Sequence, residues 1–211
     1  MYEIYLFDLD GTLLDTLDDL TSAVNAALSA YGFGLRSKAE VGSFVGNGIK
    51  ALIERAIGEK NHPNFTGVFA EFKAYYKSHC KDKTKPYEGI LDLLKKLNAQ
   101  GKKCAVVSNK ADFAVQELSK EYFGQLICFA IGENESAGIA KKPAPDMVKK
   151  AMSELGGTKK NTVYIGDSEV DLQTAKNADL PCISVSWGFK DKDFLLAHGA
   201  QFLVDTPSEI L

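Results

Sequence analysis

Asp8 and Asp10 stand one residue apart in Asp8-Leu9-Asp10-Gly11-Thr12, directly behind the apolar run Ile4-Tyr5-Leu6-Phe7. Two carboxylates at that spacing, at the end of a strand, suit a nucleophile beside a proton donor. Asp8 can attack phosphorus, and Asp10 can protonate the departing oxygen and later activate water. Gly11 lets the chain turn tightly, so that amides near Thr12 can face an anion. Taken alone, the pair also fits a turn with capping carboxylates.

Three further stretches follow apolar runs in the same way. Ser108-Asn109 come after the run at 103–107 and offer a hydroxyl and an amide to phosphate oxygens, or else cap a helix beginning near Lys110. Lys142 sits in Lys141-Lys142-Pro143-Ala144-Pro145-Asp146, where two prolines can fix a lysine as a point charge, although a solvated loop lysine reads the same way. Gly166-Asp167-Ser168-Glu169-Val170-Asp171 follows the run at 162–165. Its acids suit Mg²⁺, which prefers a few carboxylates plus water and substrate oxygen, or they merely favour a helix N-terminus. Together the four stretches converge on one crevice. A phosphate dianion approaches Asp8 only if cations offset the repulsion, and Mg²⁺ with Lys142 can do so.

The elements that must position these residues alternate. Short apolar runs at 4–7, 103–107, 126–131, 162–165 and 182–185 read as strands. Between them lie helical faces, one from Ile90, Leu91, Leu93, Leu94 and Leu97, another from Ala114, Val115, Leu118 and Tyr122, and a third over 145–155. The pattern predicts an α/β fold, a Rossmann-like parallel sheet with helices on both faces, binding ligands at the strands' carboxyl ends. From 18 to 83 no strand is expected. Three helical faces there, centred on Val24, Leu52 and Phe72, predict a small all-helical cap inserted after the first strand. The expected division is a core of 1–16 plus 84–211 and a cap of 17–83.

Of the 211 residues, 45% are hydrophobic and 25% charged, with a net charge of −3, which fits a globular protein and argues against nucleic-acid or anionic-membrane partners. No apolar run is long enough to span a membrane, and acidic residues come too early for a signal peptide. Cys80, Cys104, Cys128 and Cys182 form no paired motif; they are expected to be reduced thiols of a cytoplasmic protein, the last three buried in or beside strands. The reading implies a small-molecule substrate and a monomer or homodimer.

The order and spacing of DLDGT at 8–12, SN at 108–109, KPAPD at 142–146 and GDSEVD at 166–171 resemble the haloacid dehalogenase superfamily of phosphohydrolases. That resemblance covers nearly the whole chain. It implies that Asp8 is the nucleophile and Asp10 the acid and base. It further implies Mg²⁺ on Asp8, the Asp10 carbonyl and Asp167, with phosphoryl oxygens on Ser108, Asn109 and Lys142. Asp171 would orient Lys142 or a metal-bound water, beside Ser168. Within the superfamily, Asp19-Leu20, Ala23-Val24, Ala27-Leu28 and Gly32, followed by Val45-Gly46-Asn47-Gly48, Leu52 and Arg55-Ala56, look like the bacterial phosphoglycolate phosphatases. Gly46, Asn47 and Gly48 could present amides to a small carboxylate or form a hinge. The related β-phosphoglucomutases carry a histidine where this chain has Leu20, which lowers the mutase reading; pyrophosphatases of the same branch stay open.

Overall fold

The computed structural model describes residues 2–134 and 138–211. Strand β1 (Ile4–Phe7) is apolar at every position because both its faces are covered. Ile4 and Leu6 enter one apolar layer, Tyr5 and Phe7 the other, as the two-residue strand period requires. Strands β4 (Lys103–Ala111) and β6 (Thr162–Gly166) flank β1. Beyond them lie β5 (Phe129–Glu133) on one side and β7 (Cys182–Val185) and β8 (Phe202–Val204) on the other, in the order β5-β4-β1-β6-β7-β8, all parallel. Helices α5 (Ile90–Ala99) and α6 (Asp112–Phe123) cover the Phe7 face. Helices α7 (Asp146–Leu155) and α8 (Glu169–Asn177) cover the Leu6 face, and α9 (Lys192–Ala197) precedes β8.

Register fixes the site. Phe7 lies opposite Val106 of β4 and Ile165 of β6. Asp8 and Asp167 therefore leave β1 and β6 at nearly the same level, with Ser108 beside them in β4. The chain runs outward from β1 through β4 to β5, then returns to the other side of β1 at β6. That reversal opens a crevice at the strands' carboxyl ends.

Four helices follow β2 (Leu14–Asp15): α1 (Leu17–Ala30), α2 (Lys38–Phe44), α3 (Ile49–Ile57) and α4 (Phe65–His79). The chain comes back through β3 (Lys85–Pro86), which pairs antiparallel with β2. Buried Asp19 on α1 accepts from Lys83 N at 3.0 Å, Thr84 N at 2.9 Å and Thr84 Oγ1 at 2.8 Å, tying the two crossings together. One apolar cluster runs without a break from Phe7 through Leu9 and Leu20 to Phe72 and Tyr76.

Several local expectations differ from the structure. Helix α2 was unexpected, although Ser37 and Glu40 form a capping box around it; it buries only Val41 and Gly42, so it has almost no apolar period to read. β4 continues through Ser108 and Asn109 to Ala111, and α6 begins at Asp112 with no side-chain cap, so neither residue caps a helix. β5 starts at Phe129, because Gly124–Leu126 turn as a 3₁₀ segment. Leu91 points outward, 36% exposed. Cys128 is exposed and Cys182 half-buried, contrary to expectation, while Cys80 and Cys104 are buried.

Candidate active site

Asp8 is held at the end of β1 by its own N–H, which donates to Ile165 O at 2.9 Å. Its Oδ1 accepts from Leu9 N at 2.7 Å, and its Oδ2 lies 3.0 Å from Lys142 Nζ. Lys142 Nζ also donates to Asp171 Oδ1 at 2.7 Å and to the Tyr164 hydroxyl at 3.1 Å. The second Asp171 oxygen accepts from Ser168 N and Ser168 Oγ. The cis peptide between Lys142 and Pro143 lies beside this network. Asn109 fixes the lysine's backbone: Lys142 N donates to Asn109 Oδ1 at 2.8 Å, and Asn109 Nδ2 donates to Lys142 O at 2.9 Å. The same amide reaches Gly46 O of the helical insert at 2.9 Å. The Asn109 side chain is thus committed to positioning, and only its backbone is left for an anion. The pairing of β4 with β5 shifts register between Val107 and Ala111, which is where Ser108, Asn109 and Lys110 turn toward the crevice.

Asp167 is different in kind. Thr12 Oγ1 donates to its Oδ1 at 3.2 Å and Phe189 N to its Oδ2 at 2.7 Å, yet among the described residues it has no ion pair. Oxygens of Asp8, Asp167 and Asp171 lie within 4.8 Å of one another, all buried. Because Asp171 is already paired with Lys142, the charge without a counter-ion belongs to Asp167. A divalent cation fits that deficit, and Asp8 and Asp167 are the carboxylates placed to hold it. Gly11, at φ 83°, and Gly188 pack so tightly on Asp167 that an added Cβ at either would collide with its carboxylate. Trp187 Nε1 braces the same loop by donating to Thr12 O at 3.0 Å. Gly188→Ala is expected to lower divalent-cation affinity by about 10-fold or more, because the support behind the carboxylate is displaced. Titration calorimetry with Mg²⁺ checks this, and wild-type affinity in the variant would contradict it.

Asp10 faces the crevice from the first turn. Thr16 Oγ1 donates to its Oδ1 at 2.7 Å, and Lys110 Nζ meets Oδ1 at 2.8 Å and Oδ2 at 3.1 Å. Asp8, Asp10, Ser108, Lys110 and Asp167 line a cavity of about 40 Å³, room for about three waters. Its far wall comes from the insert, through Leu20, Gly46, Gly48, Leu52, Phe72 and Tyr76. Asn47 is not part of that wall. Its Oδ1 accepts from Arg55 Nη2 at 2.7 Å, and the residue borders a separate groove near Val170.

Burial pushes the Asp8 carboxyl up to about 6; Lys142 pulls it back, while Asp171 and Asp10 push it further up. Asp167 is held well above the usual carboxylate range by burial, then by Asp171 and Asp8. Burial works to discharge Lys142 and Lys110, but Asp171 with Asp8, and Asp10, outweigh it and keep both lysines charged.

The structure therefore brings Asp8, Asp10, Gly11, Thr12, Ser108, Asn109, Lys142, Asp167, Ser168 and Asp171 together, with Gly46 and Gly48 across the cavity and Asn47 outside it. Sequence reasoning missed Lys110 and Tyr164. Lys110 directly follows Ser108-Asn109, and that adjacency was its only available signal. Tyr164 reads as one more apolar residue in its strand, with nothing in the chain to show that its hydroxyl meets Lys142.

A sequence model of the family described as haloacid dehalogenase-like hydrolase matches residues 5–185. A phosphoglycolate phosphatase of Pseudomonas putida is 31% identical over 216 residues, spanning 99% of this chain and 75% of that protein. One from Colwellia psychrerythraea is also 31% identical, over 99% of this chain and 95% of its own length. Among solved structures, that of a proposed phosphoglycolate phosphatase from Lactobacillus delbrueckii subsp. bulgaricus is similar with a TM-score of 0.94 and 40% identity, covering 99% of this chain and 96% of that one.

Proposed function

We propose, for a chain that belongs to the haloacid dehalogenase-like hydrolase family, that it hydrolyses a small phosphate monoester, 2-phosphoglycolate, to glycolate and phosphate. The observation that carries this is one small cavity holding Asp8 with Lys142 on its oxygen, Asp10 facing inward, and a buried Asp167 without a counter-ion. In the first step a carboxylate oxygen of Asp8 attacks phosphorus, the bond to the ester oxygen breaks, and the Asp10 proton passes to that oxygen. In the second, Asp10 takes a proton from water as the water attacks phosphorus, freeing phosphate and restoring Asp8. Lys142 and the Ser108 hydroxyl offset the charge of the transferring group. Mg²⁺, held by Asp8, Asp167 and the Asp10 carbonyl, would supply the charge neutralisation that lets a dianion approach a carboxylate.

Residues 17–83 act in this reading as a cap over a core of 1–16 and 84–211, and the seated cap excludes bulk water. The apolar walls at Leu20, Leu52 and Phe72 offer no partners to the hydroxyls of a sugar, which favours a small leaving group. Pyrophosphate, sugar phosphates and a mutase reaction on a hexose phosphate are the competing substrates and outcome. The enzyme is taken to work in the cytoplasm, in keeping with four free cysteines, as a monomer or homodimer. No described helix is long and apolar enough to cross a membrane.

The test is phosphate release with Mg²⁺ from phosphoglycolate, pyrophosphate and sugar phosphates. The highest kcat/KM is expected on phosphoglycolate. A higher value on any other member, or isomerisation of a hexose 1-phosphate without phosphate release, would overturn the substrate.

Stability should report the metal site as well. In metal-free protein the Asp8 carboxyl sits at about 6, above an ordinary aspartate, so the folded state binds its proton more tightly than the unfolded chain does. The contribution of this group is then greatest at low pH, falls as pH rises toward about 6, and levels off above. Asp167 shifts in the same direction. A cation relieves that penalty, so the rise in Tm on adding Mg²⁺ is expected to be larger at about pH 7.5 than at about pH 5. Thermal unfolding with Mg²⁺ and with chelator measures it. An equal rise at both values would contradict a cation on these carboxylates.

A further inference from the structure

Lys110 is a buried cation that phosphoryl transfer at Asp8 does not itself require. Its side chain is 2% exposed, its Nζ meets both Asp10 oxygens, and it lies over the Tyr76 ring at 4.7 Å from the centroid. Tyr76, on α4 of the insert, lines the same cavity, and its buried hydroxyl faces the Lys110 ammonium without completing a hydrogen bond of good geometry. A buried hydroxyl left in that state is unfavourable unless a ligand meets it. The neighbouring walls, Leu20, Leu52 and Phe72, are apolar. Lys190 also lines the cavity, but its Nζ donates to Gly42 O at 3.4 Å and Ser43 O at 3.1 Å, so it is committed to the insert's backbone.

The position of Asp10 gives this pair its meaning. The oxygen leaving phosphorus must touch Asp10 to take its proton. Whatever that oxygen carries then extends past Asp10, into the space bounded by Lys110 and Tyr76. An ammonium has three donors, and Asp10 engages two of them. In apolar surroundings a cation attracts a second anion far more strongly than it would in water.

We propose that Lys110 and the Tyr76 hydroxyl form a carboxylate receptor, selecting phosphate esters whose leaving group bears an anion separated from the ester oxygen by a single carbon. This rests on the phosphoglycolate reading and names the residues behind it. A neutral leaving group of equal size finds the Lys110–Asp10 pair intact but leaves Lys110 and the hydroxyl without a new partner. A site built to bond a polar group discriminates strongly against the analogue that lacks it.

The experiment compares kcat/KM for 2-phosphoglycolate and for 2-hydroxyethyl phosphate in wild type, Tyr76→Phe and Lys110→Met, with Mg²⁺ present. The ratio of the two values cancels damage common to both substrates, including any loss of support for Asp10. Wild type is expected to prefer phosphoglycolate. Tyr76→Phe, which removes a hydroxyl that completes no hydrogen bond of good geometry and so keeps the fold, is expected to lower the ratio about 10-fold, and Lys110→Met about 100-fold. An unchanged ratio in both variants would overturn the receptor and leave Lys110 as a positioning residue for Asp10. A fall in Lys110→Met alone removes Tyr76 from the receptor. A wild type without the preference overturns the substrate reading together with the receptor. Should Lys110→Met not fold, product inhibition of wild-type 2-hydroxyethyl phosphate hydrolysis decides the matter. Glycolate is expected to inhibit at least about 10-fold more tightly than ethylene glycol, and equal inhibition would overturn the proposal.

Discussion

Asp8→Asn keeps the fold and lowers phosphate release on the order of 10⁵-fold or more, the scale of removing a covalent nucleophile. The amide has the same shape and can still accept from Leu9 N through its oxygen. What it lacks is the charge that attacks phosphorus. Stability need not suffer. Asp8 is one of three buried carboxyls crowded within 4.8 Å, and burial already raises its proton affinity, so a neutral side chain relieves repulsion from Asp171 and Asp10. Steady-state kinetics and thermal unfolding check both halves. Activity within about 10-fold of wild type would exclude Asp8 as the nucleophile.

Lys142→Met is expected to damage both function and fold. Nζ of this lysine, 1% exposed, sits between Asp8 Oδ2 and Asp171 Oδ1 and carries the one positive charge that the two carboxyls share. Removing one partner of a buried network leaves uncompensated charge, at a cost of about 3–5 kcal/mol. Activity is expected to fall on the order of 10³-fold, as loss of a preorganised charge at the transferring group does. Denaturant unfolding and kcat/KM on phosphoglycolate measure the two. The expected pattern is a lower denaturation midpoint together with lost activity. Lost activity at full stability would mean that Lys142 does not neutralise the buried carboxylates.

The two variants differ for a reason that was partly legible in the chain. Asp8 and Asp167 could be placed at strand ends because each follows a short apolar run, and a parallel sheet brings such ends together; Ser108, read the same way, lies inside β4, which runs on to Ala111. The helical insert could be read because three of its helices carry an apolar face with a helical period. Side-chain partners were less legible, since they depend on register and packing. Asn109 turned out to clamp the Lys142 backbone and Gly46, a pairing across 33 and 63 residues. Tyr164 hides a polar contact within an apolar strand, and α2 hides because its helix is specified by a cap and not by a face. Asn47 looked like part of a glycine-flanked anion nest, yet Arg55, one helical stretch away, draws its side chain out of the cavity.

The account stands on a covalent bond between Asp8 and phosphorus. Enzyme turning over phosphoglycolate with Mg²⁺ can be quenched in acid and treated with borohydride, which reduces an aspartyl phosphate to homoserine. Peptide mapping then reads position 8. The account predicts homoserine there only when both substrate and divalent cation are present, and none in Asp8→Asn. Continued turnover with unmodified aspartate at position 8 in every quenched sample would contradict it.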